Sequence, residues 1–181
     1  MIDFELTEEQ LALQETARRF AEKEMKPVAA KYDQGHEFPW DVMEKAFQAG
    51  FLNCTVPVEY GGGGLNAVDT SIVSEELVMG CAGMFTTIMV NSLAFTPIVL
   101  FGTHEQKQKY LAPFAEKPML AAFALTEREA GSDAGRVRTT AVLDGSEYVI
   151  NGTKCFISNG GVATLLVVFA LTDPEKGTRG M

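Results

Sequence analysis

Two short stretches combine residue types that could hold a charged or aromatic ligand. The first is Phe123-Ala124-Leu125-Thr126-Glu127-Arg128-Glu129-Ala130-Gly131-Ser132-Asp133. It starts as an apolar run of strand character and breaks into a Gly/Ser/Asp loop. Backbone N–H groups and hydroxyls at a strand exit suit an anion such as pyrophosphate. The same residue types also build an ordinary turn. The second is Lys154-Cys155-Phe156-Ile157-Ser158-Asn159-Gly160-Gly161. Read as a strand, it places Phe156 and Ser158 on one face. One could cover an aromatic ring while the other hydrogen-bonds its edge. A plain strand and turn is the alternative.

Other patterns carry less. Gly62-x-Gly64-x-x-Ala67 fits the dinucleotide-binding spacing. Pro57 interrupts the strand that should precede it, and no parallel strand follows, so a flexible turn is expected. Asn151-Gly152-Thr153 is a glycosylation sequon, read here as a hairpin turn. The cysteines, Cys54, Cys81 and Cys155, are odd in number and far apart, with no Cys-x-x-Cys, which argues against a disulfide framework or a zinc site. Reduced thiols in a cytoplasmic protein fit better. With His36 and His104 as the only histidines, no metal site is expected.

The elements that must position these stretches change character along the chain. Thr7 to Gln10 has capping-box spacing. Leu13, Ala17, Phe20, Ala21, Met25 and Val28 then recur at three- and four-residue steps, an amphipathic helix. Pro39 opens a second helix and Gly50 closes it. Asn66 caps a third, running to about Met79. An apolar helix runs from about Met84 to Phe101, with Pro97 as a point of kinking or breakage. Thr103 to Gln106 is a second capping box. After Pro118 the pattern becomes strand-like: Met119 to Leu125, Val137 to Leu143, Glu147 to Ile150, Lys154 to Ser158 and Thr164 to Leu171. Asp144-Gly145 and Asn151-Gly152 punctuate it. The expected fold class is α+β, an all-α domain over residues 1–117 followed by an antiparallel β meander, part of a larger β domain, over 118–181.

Composition narrows the function classes. The chain has 181 residues, 46% of them apolar, and a net charge of −9. That charge disfavours nucleic acid and anionic membrane surfaces. Val78 to Thr103 lacks charged residues and is long enough to span a bilayer. Its glycines, threonines, Asn91 and Pro97, and the absence of basic flanks, favour a buried helix pair. No signal peptide is visible.

Taken together, the segments resemble the acyl-CoA dehydrogenase family, with medium- and short-chain enzymes the nearest in kind. The resemblance runs from Leu6-Thr7-Glu8-Glu9-Gln10 to the last residue. It includes Val56 to Gly62, Gly102 to Tyr110, Leu125-Thr126-Glu127, Ala130-Gly131-Ser132-Asp133 and Tyr148 to Lys154. It implies an N-terminal helical domain, a middle β domain and a C-terminal four-helix domain, the last absent here. It also implies FAD against the middle domain. Phe123, Leu125, Thr126, Gly131 and Ser132 match the family's first flavin segment. Phe156, Ile157 and Ser158 match its second, usually Trp-Ile-Thr. Ser132 also matches a position that touches the acyl-CoA thioester. The apolar helix would wall the acyl pocket through Phe85, Met89 and Leu93, which lie four apart. The same spacing serves ordinary core packing equally well.

Three departures stand out. Arg128 replaces a usual Pro, Phe156 replaces a usual Trp, and the chain has about half the family's length. The family's catalytic base is a Glu in its later part, beyond Met181. No catalytic residue is therefore assigned, and Glu127 and Asp133 do not match the base. The resemblance implies a β-oxidation oxidoreductase that desaturates an acyl-CoA, passes electrons to an electron-transfer flavoprotein and forms a homotetramer. It would sit in the cytoplasm, or in the mitochondrial matrix of a eukaryote. This piece alone is expected to be inactive. A non-catalytic oligomerisation module and an enoyl-CoA reductase of the same fold are the alternatives.

Overall fold

In the computed structural model, which describes residues 5–181, Thr7 caps helix α1 (Glu8–Phe20). Its hydroxyl accepts from the Gln10 N–H and the Gln10 side chain returns the bond, so two orphan donors of the first turn are satisfied. The helix then departs from the regular path. Ala21–Met25 is a π-helical turn and Lys26–Val28, with Pro27 inside it, is a 3-10 turn. Helix α2 (Ala29–Gly35) continues and ends at His36 in the left-handed conformation. The expected single amphipathic helix is thus a chain of four helical pieces, with Ala17, Phe20, Ala21 and Met25 still on the buried side.

Helix α3 (Trp40–Gln48) starts after Pro39 and buries Val42, Met43 and Ala46. Helix α4 (Ala67–Gly80) is capped by the Asn66 side chain, which accepts from the Val68 and Asp69 N–H groups. α4 lies against α1. Arg18 makes a two-pronged bond to Glu76, at 2.9 and 2.7 Å, and Gln10 donates to Asp69 at 3.0 Å. Cys81 is extended and separates α4 from α5 (Ala82–Phe101). Pro97 lies within α5 without ending it. Helix α6 (His104–Glu116) opens on the Thr103 capping box.

α5 has the length and apolarity of a membrane-crossing helix, a test that core helices also pass. Here Met84, Ile88, Asn91, Ala94 and Phe95 are buried in the helical unit, and Phe95 meets the Phe114 ring edge-on at 4.9 Å. Gly62 and Gly64 sit in the loop that leads into the Asn66 cap, and the Gly64 N–H bonds back to the Val56 carbonyl. Among the described residues of this unit there is no strand, so the loop has no dinucleotide-binding frame around it.

The chain divides into two compact units between Leu120 and Ala121. In the second, β1 (Ala121–Ala124) pairs in parallel with β4 (Leu165–Val168), Ala121 opposite Leu165. β2 (Thr140–Asp144) and β3 (Glu147–Asn151) form an antiparallel hairpin, Asp144 opposite Glu147. Gly145, at φ 62°, supplies the tight turn.

Three details of the expected meander are corrected. The β1–β4 pairing is parallel, because the long intervening segment, hairpin included, serves as the crossover that a parallel pair requires. Lys154 to Ser158 is not a strand, because Phe156 takes a left-handed φ of 55° that breaks any pleat. Asn151 and Gly152 form no hairpin turn either. Asn151 is the last residue of β3, paired with Thr140.

Candidate functional site

The site is built where β1 ends. Small residues, Ala121, Ala122 and Ala124, bury the strand, and Phe123 packs its ring on Phe169 at 4.8 Å. Beyond Ala124 the chain leaves the pairing and Leu125 and Thr126 become half-buried. A tight turn follows, in which Glu127 and Ala130 exchange both backbone hydrogen bonds, at 3.0 and 3.2 Å. Arg128 and Glu129 form its exposed tip. The turn therefore closes with Arg128 where proline is usual in the resembling family. Gly131, Ser132 and Asp133 are exposed.

The second stretch runs beside the first. The Cys155 N–H donates to the Thr126 carbonyl at 3.0 Å. The Lys154 ammonium donates to the Leu125 carbonyl at 3.0 Å. Further along, Asn159 turns the chain through its own left-handed φ, and its amide donates to the Ala121 carbonyl. Two segments about thirty residues apart are thus fixed side by side along the exit of β1.

This arrangement brings Leu125, Thr126, Phe156, Ile157 and Ser158 into one neighbourhood. Phe156 is 93% exposed, which is unusual for a large aromatic side chain held at positive φ. Ser158 is also exposed while Ile157 is half-buried. Phe156 and Ser158 are both exposed, but the strand alternation expected to put them on one face is absent, since a bend runs through Phe156. The hydroxyls of Thr126, Ser132 and Ser158 make no hydrogen bond to other protein groups among the described residues. An exposed ring, free hydroxyls and an open Gly131-Ser132 backbone fit a flat ring system with a polar edge and an anionic tail. Phe123 differs from the rest, since its ring faces Phe169 within the sheet.

Phe85, Met89 and Leu93 lie along α5 in the helical unit. Phe85 and Met89 are half-buried and Leu93 is half-exposed, whereas the core of that unit is met by Met84, Ile88, Asn91 and Phe95. This stripe of three residues, spaced four apart, is therefore outside the core face of its helix. A cavity of about 390 Å³ also opens on this helix, lined by Thr55, Leu65, Thr70, Ser92, Phe95 and Val99 among others.

Sequence reasoning named Glu127 and Lys154 but gave them no part in the framework that they hold together. Glu127 is buried, and its carboxylate accepts from the Arg138 N–H at 2.7 Å, from the Thr139 N–H and hydroxyl, and from Lys154 at 2.8 Å. Burial by itself would raise its pKa. The Lys154 and Thr139 side chains and the two backbone N–H groups outweigh burial and hold it down at about 2. A carboxylate so fully engaged is ionised at neutral pH and is poorly suited to taking a proton from a substrate. Gly152 has a part as well. A Cβ there would lie 2.2 Å from the Thr139 hydroxyl oxygen, so only glycine lets β3 exit past Thr139. The available sequence signal was a lysine directly before an apolar and hydroxyl-bearing run.

Comparison with known proteins gives a consistent picture. Residues 7–118 match the acyl-CoA dehydrogenase N-terminal domain and residues 122–181 match the acyl-CoA dehydrogenase middle domain. The chain is 46% identical over 99% of its length to an acryloyl-CoA reductase (NADH) of Anaerotignum propionicum, covering 46% of that protein. It is 45% identical over 99% of its length to a short-chain specific acyl-CoA dehydrogenase of Clostridium acetobutylicum, covering 48% of it. The chain therefore spans just under half the length of these curated relatives. Among solved structures, it aligns at 46% identity and TM-score 0.92 with a chain from work on the electron transferring flavoprotein of Acidaminococcus fermentans and flavin-based electron bifurcation, over 99% of this chain and 47% of that one. It aligns at 35% identity and TM-score 0.85 with an acyl-CoA dehydrogenase complexed with FAD from Bacillus anthracis, over 94% of this chain and 30% of that one.

Proposed function

Because this chain belongs to the acyl-CoA dehydrogenase family, we propose that it is the helical and middle-domain portion of an FAD-dependent oxidoreductase acting on acyl-CoA thioesters. The observation that carries the reading is the Cys155 N–H bond to the Thr126 carbonyl, which sets the two candidate flavin segments side by side. Leu125 and Thr126 would meet the ring edge through backbone and hydroxyl. Phe156, Ile157 and Ser158 would cover the ring and hydrogen-bond its other edge. Gly131 and Ser132 would receive the diphosphate, and Ser132 would also reach the thioester. Phe123 would hold the strand that carries these groups, its ring packed on Phe169. Phe85, Met89 and Leu93 would line the acyl chain.

When bound, the flavin supplies the two-electron acceptor. The reaction in this reading is α,β-desaturation. An α-proton leaves to a base, the β-hydrogen leaves as hydride with its electron pair, and a trans-2-enoyl thioester results. N–H and hydroxyl donors of this chain, held at the edge of a bound ring, would offset negative charge there. The chain's contribution is therefore orientation and electrostatics. Electrons would pass on to an electron-transfer flavoprotein, and the whole protein would work as a homo-oligomer.

The test uses the full-length protein that contains this chain, purified with FAD and mixed anaerobically with straight-chain acyl-CoA thioesters. Bleaching of the flavin absorbance with enoyl product is expected. A protein that holds no flavin, or holds it without bleaching by any thioester, overturns the reading. The 46% identity to an acryloyl-CoA reductase supports a second direction, reduction of a short enoyl thioester. Product analysis from both saturated and unsaturated thioesters separates the two.

A further inference from the structure

We propose that Glu127 and Lys154 are a pair of positioning residues that set the flavin-facing backbone of Leu125 and Thr126, a role that rests on the flavin reading above. Lys154 is the shared member of two contacts. Its ammonium lies 2.8 Å from Glu127 Oε1 and 3.0 Å from the Leu125 carbonyl oxygen. Glu127 in turn gathers the Arg138 and Thr139 N–H groups and the Thr139 hydroxyl. Three separate stretches therefore converge on one ion pair: the β1 exit, the approach to β2, and the run after β3.

The pair is shielded, with 11% of the Lys154 side chain and 8% of the Glu127 side chain exposed. Such a pair gives little net stability over a well-packed apolar replacement, but removing one partner leaves a buried charge uncompensated. Its geometric consequence is more specific. The Leu125 carbonyl is pinned by Lys154 and the Thr126 carbonyl by Cys155, so these two peptide planes cannot rotate freely. The plane held through the Leu125 carbonyl carries the Thr126 N–H, while the Glu127 N–H of the next plane is bonded to the Ala130 carbonyl, so the Thr126 N–H and the backbone that bears the Thr126 hydroxyl are fixed in place. Those are the groups assigned to the ring edge, and preorganised donors are effective because they need no reorientation. Glu127 itself touches neither ring nor substrate in this scheme.

The experiment compares wild-type full-length protein with Lys154→Met, after both are stripped of flavin and checked for folding by circular dichroism. FAD affinity is read by quenching of flavin fluorescence, and the visible spectrum and two-electron potential of the bound flavin are recorded. Loss of one charged hydrogen bond at the ring-edge segment should weaken FAD binding by about tenfold or more. The spectrum or potential of the flavin that still binds should shift. A variant with a lower melting temperature, FAD affinity within about twofold of wild type and an unchanged spectrum overturns the proposal, because the pair is then only a brace of the fold. If Lys154→Met does not fold, Lys154→Gln and Thr139→Ala are judged by the same readouts. If the wild-type protein binds no FAD, the flavin reading fails first and takes this role with it. If wild type binds FAD and these variants bind it equally well, only the positioning role fails.

Discussion

The Asn91 side-chain amide donates to Asn53 Oδ1 at 2.6 Å and to the Met119 carbonyl at 3.0 Å, in the middle of the helical unit. Asn53 passes the link on to the Phe114 carbonyl at 2.9 Å. Asn53 itself adopts a left-handed φ of 65°, a conformation that asparagine tolerates better than most residues. Both side chains are nearly inaccessible, Asn91 wholly so. One polar pair thus ties α5 to the end of α6 and to the segment that leads out of the unit.

Asn91→Leu tests this link. The substitution puts apolar bulk in the helix but takes the Asn91 donor from Asn53 Oδ1 and leaves the Met119 carbonyl with only its longer bond from the Asn53 amide, at 3.4 Å. A stability loss of about 2–3 kcal/mol is expected in urea denaturation. Ser92→Ala, one residue along the same helix and partly buried, loses a hydroxyl bonded to Thr55 and should cost less, about 1 kcal/mol.

Glu127 should impose an acid limit on the second unit. Its pKa is lowered in the folded chain, from an ordinary 4.5 to about 2. Its contribution is therefore fully present above pH 4.5 and is lost as pH falls from there toward 2. The size of the effect is on the order of 3 kcal/mol. Glu127→Gln should be less stable than wild type by about that amount at pH 7, with the gap narrowing through this acid window. Denaturation midpoints measured between pH 7 and pH 2 check it. A gap that stays constant across that range contradicts the assignment.

Two glycines in the second unit should respond differently to alanine. Gly152→Ala forces a methyl to 2.2 Å from the Thr139 hydroxyl oxygen and 2.8 Å from its Cα, which only a backbone shift can relieve. Overpacking of this kind costs about 1–3 kcal/mol. It should also loosen the Thr139 bonds to Glu127. Gly145→Ala meets open space and suffers only from its φ of 62°, about 1 kcal/mol. Thermal melts of both variants rank them, Gly152→Ala the lower.

Phe156 sets stability against binding. Its positive φ costs energy and its exposed ring recovers little by burial. Phe156→Gly should therefore raise the stability of the flavin-free protein by about 1 kcal/mol. Under the proposed function it should also weaken FAD binding, because the ring's cover is gone. Denaturation without FAD and titration with it report the two effects separately.

The sequence determined the local architecture. Thr7 with Gln10, Asn66, and Thr103 with Gln106 start their helices as read, because capping partners lie two or three residues apart. The hairpin turn lies one residue along from the expected Asp144-Gly145 pair: Asp144 still pairs with Glu147, and Gly145-Ser146 turns the chain with Gly145 at positive φ. The segments that resemble the acyl-CoA dehydrogenases are likewise contiguous, and the family matches cover them.

Tertiary structure decided what depends on distant partners. The parallel pairing of β1 with β4 joins residues more than forty positions apart, and periodicity within a segment carries no sign of which strand it will meet. Phe156 is turned outward by the bonds on either side of it, those of Lys154, Cys155 and Asn159, and not by strand alternation. Glu127 and Lys154 are separated by 27 residues, and Asn53 and Asn91 by 38. In sequence each is one polar residue in a mixed stretch. Only folding removes water from around them, and a buried polar group must then find its partner inside the protein.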